Sequence, residues 1–295
     1  MRQAPATLET VWVEVPETAL EAYEAALAPN CLTVGFFFAD EERGIWRVEG
    51  VREAGDDAAL RLALMLAEAI SGAPAVLQRG DTQAEGWLAR LAADFPEQQI
   101  GTRFAIRGTH LHGPRIPGRV TLVLDAALAF GSGEHGSTRG CLRALERVAR
   151  RPVRGALLDV GTGTGILAMA AAKLLHRPVL GTDIEPMAVR VARGNAKRNG
   201  VGGAVRLRVA NGWRSQAIAR GAPYGLVFAN ILARPLCLMA RDLAAHLAPG
   251  GTAILAGLLN RQANMVLAAH RRQGLVLAGR IVEGNWTTLV VRRRG

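Results

Sequence analysis

The segment Glu9–Val15 (ETVWVEV) alternates apolar and polar positions, the pattern of a strand buried on one face. Pro16 opens a helical stretch to about Ala28, closed by Pro29-Asn30. Leu32–Phe38 reads as a buried strand, Asp40–Arg43 as a charged turn and Ile45–Val51 as the next strand. Asp56–Ile70 predicts a helix with Leu60, Ala63, Leu64, Ala67 and Ile70 on one face. A short strand at Ala75–Gln78 completes the order β-α-β-β-α-β, that of a ferredoxin-like α+β domain. Residues 81–119 read as a connector, with a helix around Ala84–Asp94, a strand near Gly101–Arg107 and extended Gly/Pro-containing loop over Gly108–Arg119.

From Val120 the pattern changes. Apolar strand-like runs fall at Ala156–Val160, Val179–Asp183, Val205–Val209, Leu226–Ala229 and Thr252–Leu258. Helical stretches separate them, at Gly165–Leu175, Pro186–Asn199, Ile231–Leu247 and Arg261–Arg272. This alternation predicts an α/β domain with a doubly wound parallel sheet covered on both faces. Leu275–Val282 and Trp286–Arg292, joined by Glu283-Gly284-Asn285, are close enough to pair as an antiparallel hairpin at the end of that sheet. A sheet ending in this way is not the usual dinucleotide-binding arrangement. The expected organisation is a ferredoxin-like domain over 1–80, a linker over 81–119 and a Rossmann-like domain over 120–295.

Composition narrows the class. Of 295 residues 49% are hydrophobic and 21% charged, which excludes a disordered chain. Cys31, Cys141 and Cys237 are too few and too far apart for a disulfide framework or a cysteine-rich zinc module, and suit a reducing compartment. No apolar signal core and no apolar run long enough to span a bilayer occur, so the expectation is a cytoplasmic protein with no membrane partner. The net charge of +11 is unevenly spread: residues 1–100 carry 7 Lys+Arg against 17 Asp+Glu, and the rest 29 against 8. An acidic front third attracts a basic protein, and a basic remainder attracts an anionic cofactor or tolerates nucleic acid nearby. Solvated surface on both parts is the competing explanation. His110 and His112 have a metal-compatible spacing but no third ligand near them, so no metal site is expected.

The chemistry concentrates at strand ends. Leu158-Asp159-Val160-Gly161-Thr162-Gly163-Thr164-Gly165-Ile166-Leu167 joins the first strand of the alternating region to its first helix. Glycines let the backbone turn tightly and approach a ligand, and the helix start behind them offers free N–H groups. The G-x-G-x-G spacing brings the last glycine one residue earlier than in the dinucleotide fingerprint G-x-G-x-x-G. Asp183 ends the next strand 22 residues after Gly161, where a carboxylate can accept both hydroxyls of a ribose. Asn230 ends the fourth strand at the same sheet edge, and its amide oxygen can accept from a substrate amine; a helix cap is the alternative. Ala129-Phe130-Gly131-Ser132-Gly133-Glu134-His135-Gly136-Ser137-Thr138-Arg139 is rich in glycine and hydroxyls, as suits a flexible lid. Ser137 or Thr138 also fits as the cap of the helix Arg139–Arg150.

With these segments, Gly181-Thr182-Asp183-Ile184-Glu185-Pro186, Ala229-Asn230-Ile231-Leu232-Ala233 and Glu283-Gly284-Asn285-Trp286, the chain resembles the class I S-adenosylmethionine-dependent methyltransferases. More narrowly, it resembles the PrmA family, which methylates ribosomal protein eleven of the large subunit. The resemblance is close over about 120–295; the front third matches by size and strand order. It implies a substrate-recognition domain, a mobile linker and a catalytic domain. S-adenosyl-L-methionine would be held by Thr138, by Gly161 and Gly163 of the loop, by Asp183 and by Asn230. Ser132 and Ser137 stand where the family pattern has Thr, keeping the hydroxyl, and Asp125-Ala126-Ala127 stands where it often has Asp-Pro-Gly.

The expected reaction is methyl transfer to lysine or N-terminal amines of a basic large-subunit ribosomal protein, with ribosomal RNA as a possible neighbour. Asn230 is the expected catalytic residue, orienting the amine while the proton leaves to water. Ile231-Leu232-Ala233 follows it without a ring to stack on a planar nitrogen, which favours an aliphatic amine. Methylation of RNA or of a glutamine amide is the alternative, supported by the basic rear part. An NAD-dependent oxidoreductase is opposed by the loop spacing, and a non-catalytic binding module by the intact Asn230. Trp286 fits either the pocket or the hairpin core.

Overall fold

The computed structural model describes residues 8–31, 33–40, 43–82, 97–109, 111, 114–124 and 136–295; of residues 33, 35–38, 81 and 82 only the backbone is described. The helix expected at 84–94, both histidines of the 110/112 pair, Asp125-Ala126-Ala127 and most of the glycine- and hydroxyl-rich segment lie outside these residues. The chain forms two compact units, dividing between residues 94 and 95.

In the first unit β1 (Leu8–Pro16), α1 (Leu20–Leu27), β2 (Thr33–Asp40), β3 (Ile45–Glu53), α2 (Ala58–Ser71) and β4 (Gln78–Thr82) follow one another. The sheet order is β2-β3-β1-β4, with every neighbouring pair antiparallel. Val11, Val13 and Val15 are fully buried at alternate positions of β1, the half-buried pattern of its sequence. From α2, Leu60 and Ala67 enter the core, whereas Ile70, expected on the same face, is 78% exposed in the helix's last turn. The last strand lies at Gln78–Thr82 rather than Ala75–Gln78. It is a polar edge strand whose backbone pairs Gln78 with Trp12 and Thr82 with Leu8, so the ladder fixes its place without a hydrophobic signal.

The second unit begins with residues that read as connector. β5 (Gln98–Ile100) and β6 (Phe104–Gly108) form a small sheet with β7 (Val120–Leu124), β5 antiparallel and β7 parallel to β6. All five β6 residues are buried, which places 104–108 inside a core. β7 is tied to the main domain by Asn199, whose side chain accepts from the Val123 N–H at 2.9 Å and donates to the Val123 carbonyl at 2.6 Å. Lys173 Nζ donates to the Thr121 carbonyl at 2.7 Å and to Asn199 Oδ1 at 3.1 Å.

The main sheet contains β8 (Ala156–Val160), β9 (Val179–Asp183), β10 (Val205–Val209), β11 (Tyr224–Asn230), β12 (Leu247–Leu259), β13 (Leu275–Glu283) and β14 (Trp286–Arg293). Their order is β10-β9-β8-β11-β12-β14-β13. β14 is antiparallel to both its neighbours, and the other pairings are parallel. Consecutive residues of β11 feed opposite cores: Leu226 and Phe228 join one cluster, Val227 and Ala229 the other. Burial on both faces is why these strands read as unbroken apolar runs. Each fully buried Leu or Phe there is worth about 2–3 kcal/mol of transfer free energy. The helices are α3 (Gly136–Val148), α4 (Ile166–Leu175), α5 (Pro186–Arg198), α6 (Gln216–Gly221), α7 (Ala233–Leu238), α8 (Ala240–His246) and α9 (Ala263–Arg271). The single helix expected over Ile231–Leu247 is split at Met239, four residues after Pro235. The three cysteines are free. No helix among the described residues is long and apolar enough to cross a membrane.

Candidate active site

The strand order reverses between β8 and β11, and ligands of open α/β sheets bind outside the carboxyl ends of strands at such a point. A cavity of about 590 Å³ lies there, within the roughly 300–1,000 Å³ of small-molecule sites. Its wall includes Thr138, residues 160–164, Thr182, Asp183, Ala210–Gly212, Asn230–Leu232 and Met239.

The glycine loop leaves β8 and turns into α4. Gly161, Gly163 and Gly165 have φ of +70°, +52° and +81°, a region that other residues enter only with strain. A Cβ on Gly161 would run into Ile231 Cγ2, so this glycine is also needed for close approach. The loop hangs on β9: the Gly161 and Thr162 N–H groups donate to the Thr182 carbonyl at 2.8 and 2.9 Å. Asp183 fixes its far side, Oδ2 accepting from the Gly163 N–H at 2.8 Å and Oδ1 from the Glu185 N–H at 3.1 Å. The cap position of α5 is Glu185, which leaves Asp183 on the cavity wall between loop and helix.

Asn230 is the last residue of β11, and the cap position of α7 is Leu232, so the cap alternative does not apply to Asn230. Its Nδ2 makes a long contact, 3.5 Å, to Thr138 Oγ1. Ser137 and Thr138, expected as cap candidates, lie within the first turn of α3 and are buried. Thus Thr138, Gly161, Gly163, Asp183 and Asn230, far apart in sequence, all line one cavity.

Beneath the loop lies Asp159, which sequence reasoning did not single out. It is fully buried and accepts from the Thr162 hydroxyl at 2.7 Å and the Ala168 N–H at 3.2 Å. Burial pushes its carboxyl up to about 7; the two hydrogen bonds oppose this and the charge of Asp183 adds to it. The signal was an acid inside the apolar run Ala156–Val160. Asn211, Gly212 and Met239 also line the cavity without a sequence signal of their own. Trp286 is not among the described residues on the wall. Among the described residues no group of three or more His, Cys, Asp and Glu side chains is placed to hold a metal.

The fold and this site define a Rossmann-like methyltransferase: a doubly wound sheet with one inserted antiparallel strand and a glycine loop, an acid and an asparagine at neighbouring strand ends. The family described as ribosomal protein L11 methyltransferase (PrmA) matches residues 40–294. A ribosomal protein L11 methyltransferase of Rhizobium meliloti (strain 1021) is 42% identical over 275 residues, covering 93% of this chain and 94% of that one. One of Bradyrhizobium diazoefficiens is 45% identical over 213 residues, 72% of each chain. The crystal structure of ribosomal protein L11 methylase from Lactobacillus delbrueckii subsp. bulgaricus superposes with a TM-score of 0.59 at 29% identity, over 68% of this chain and 99% of that one. The chain belongs to the ribosomal protein L11 methyltransferase family.

Proposed function

We propose that this protein transfers methyl groups from S-adenosyl-L-methionine to lysine or N-terminal amines of a large-subunit ribosomal protein. The observation that carries the reading is the convergence of the glycine loop, Asp183, Asn230 and Thr138 on one cavity. The residues fit the cofactor. Side-chain-free backbone faces it at Gly161 and Gly163, and the Asp183 carboxylate, held by two N–H groups, is aimed for ribose hydroxyls. When bound, the cofactor supplies a methyl group on a sulfonium, open to in-line displacement by an amine.

The protein's task is then to place and desolvate a nitrogen. A lysine amine titrates near 10.4 in water, and removal from water lowers that value. Asn230, at the mouth between β11 and α7, accepts from the amine through its amide oxygen and so points the lone pair inward, while its Nδ2 contacts Thr138. The proton leaves to water. Ile231 and Leu232 on the cavity wall offer an aliphatic surface, which suits a methylene chain better than a planar amide or base.

The first unit is proposed as the substrate-recognition domain. Its β2-β3-β1-β4 order is that of a ferredoxin-like sheet, and its acidity complements a basic ribosomal protein. The proposed organisation is a recognition domain over 1–80, a linker over 81–119 whose strands β5 and β6 form a sheet with β7 in the second unit, and a catalytic domain over 120–295, working in the cytoplasm. The test is transfer of labelled methyl from S-adenosylmethionine to purified large-subunit ribosomal protein, to ribosomal RNA and to the assembled subunit. Label on amines of the protein is expected, lost in Asp183→Ala and Asn230→Ala. Label only in RNA or on a glutamine amide would overturn the substrate, and no label in any of them the activity.

A further inference from the structure

The Glu283-Gly284-Asn285-Trp286 segment is absent from the described cavity wall, yet it touches the element that delivers Thr138. A Cβ on Gly136 would lie 2.7 Å from the Glu283 carbonyl oxygen and 2.8 Å from Trp286 Cδ1. One turn further, a Cβ on Gly140 would run into the Thr288 hydroxyl. Glycine at both positions lets the first turns of α3 lie directly on the β13–β14 hairpin. The side chain of Glu283, only 14% exposed, then forks to two guanidiniums: Arg139 Nε stands 3.6 Å from Oε2, and Arg143 pairs with Oε1.

Arg139 and Arg143 are four residues apart on one helix face, where like charges repel. They also lie in the first two described turns, where the helix dipole disfavours cations, and among the described residues the first turn has no acidic residue of its own. Glu283 supplies a counter-charge from the hairpin. Thr138 immediately precedes Arg139 and meets Asn230 at 3.5 Å. We infer that Glu283 is a positioning residue for cofactor binding: it seats the first turn of α3 on the hairpin and so keeps the Thr138 hydroxyl on the cavity wall. The inference rests on the reading of that cavity as the S-adenosylmethionine site.

Calorimetric titration of the full-length protein with S-adenosylhomocysteine tests it, with melting temperature recorded for every variant. Glu283→Gln is expected to raise Kd about 5-fold, the scale of a partly exposed ion pair. In a Thr138→Ala background the same change is expected to raise Kd less than about 2-fold, because the two residues act through one contact. Glu283→Arg and Arg143→Glu are each expected to weaken binding about 10-fold. Combined, they place the exchanged carboxylate between Arg139 and the new guanidinium, and Kd returns to within about 3-fold of wild type. Wild-type Kd in Glu283→Gln, or an equal loss with and without Thr138, overturns the inference. Should Glu283→Arg not fold, the Glu283→Gln cycle decides alone. A wild-type protein that binds no S-adenosylhomocysteine overturns the cofactor reading and this inference with it; binding by the wild type separates the two.

Discussion

Gly161→Ala is the sharpest perturbation of the site, because two independent costs meet at one methyl group. The residue sits at φ +70°, where an L side chain costs about 1–2 kcal/mol. The new Cβ would also overlap Ile231 Cγ2. Ile231 has little room to give, since its own backbone is seated on Gly257: a Cβ there would lie 2.9 Å from the Ile231 carbonyl carbon. Overpacking of this kind costs a further ~1–3 kcal/mol. Together the change is expected to lower the unfolding free energy by about 2–5 kcal/mol.

The effect on function follows from chain connectivity. Ile231 is bonded to Asn230, and Gly161 precedes the N–H groups of the loop, so relief of the clash moves both halves of the site. S-adenosylhomocysteine is expected to bind roughly 10- to 100-fold more weakly, a loss of about 1.4–2.7 kcal/mol. Ile231→Ala removes the clashing methyl and leaves the backbone strain. In that background the stability cost of Gly161→Ala should fall to about 1–2 kcal/mol, a coupling of roughly 1–3 kcal/mol. The assays are urea unfolding and calorimetric titration of the four proteins. Additivity of the two substitutions within about 0.5 kcal/mol would show that the Ile231 contact does not constrain the loop.

Asp183→Ala removes the acceptor of the Gly163 N–H and the proposed ribose acceptor, and charged hydrogen bonds are worth about 1.5–3 kcal/mol each. Kd for S-adenosylhomocysteine should rise about 100-fold, and a rise below about 3-fold by calorimetry would count against its role. The buried Asp159 titrates near 7 when folded and near 3.8 when not, so the folded state holds its proton more tightly. Its contribution therefore favours the fold below about pH 4 and is lost as pH rises to 7, and Asp159→Asn should flatten that fall in unfolding free energy. Parallel wild-type and variant profiles between pH 4 and 7 would refute this. Asn199→Ala strands the Val123 N–H and carbonyl and leaves Lys173 one acceptor short. A loss of about 2–5 kcal/mol in urea unfolding is expected, and a loss below about 1 kcal/mol would mean that water replaces the side chain.

What could be read in advance, and what could not, divides along physical lines. Ala156–Val160, Val179–Asp183 and Val205–Val209 have the expected bounds: the first two are short runs buried between helices, and the third is an edge strand whose alternating VRLRV buries Val205 and Leu207 and exposes its arginines. Gly161, Asp183 and Asn230 were legible because Asp183 and Asn230 end strands and Gly161 directly follows one, and parallel strands carry all three to one sheet edge. Position alone predicted their meeting. β4 was displaced because an edge strand is specified by a backbone ladder, and the polar segment Gln78–Thr82 pairs with β1 without an apolar stripe. A strand near Gly101–Arg107 was expected and β6 lies at Phe104–Gly108, but β5 was missed and both were assigned to a connector for the opposite reason. They are short, and their burial depends on a partner strand, β7, that becomes visible only when the chain has folded. The same distinction explains Glu283 and Asn199. Each sits at the end of a legible element, but acts on a residue more than 70 positions away, Arg139 or Arg143 in one case and Val123 in the other. Periodicity reports which face of an element is buried, whereas these contacts depend on which two elements are brought face to face. The roots of the site's loops are therefore set by long-range pairs, while its chemistry is written locally at strand ends.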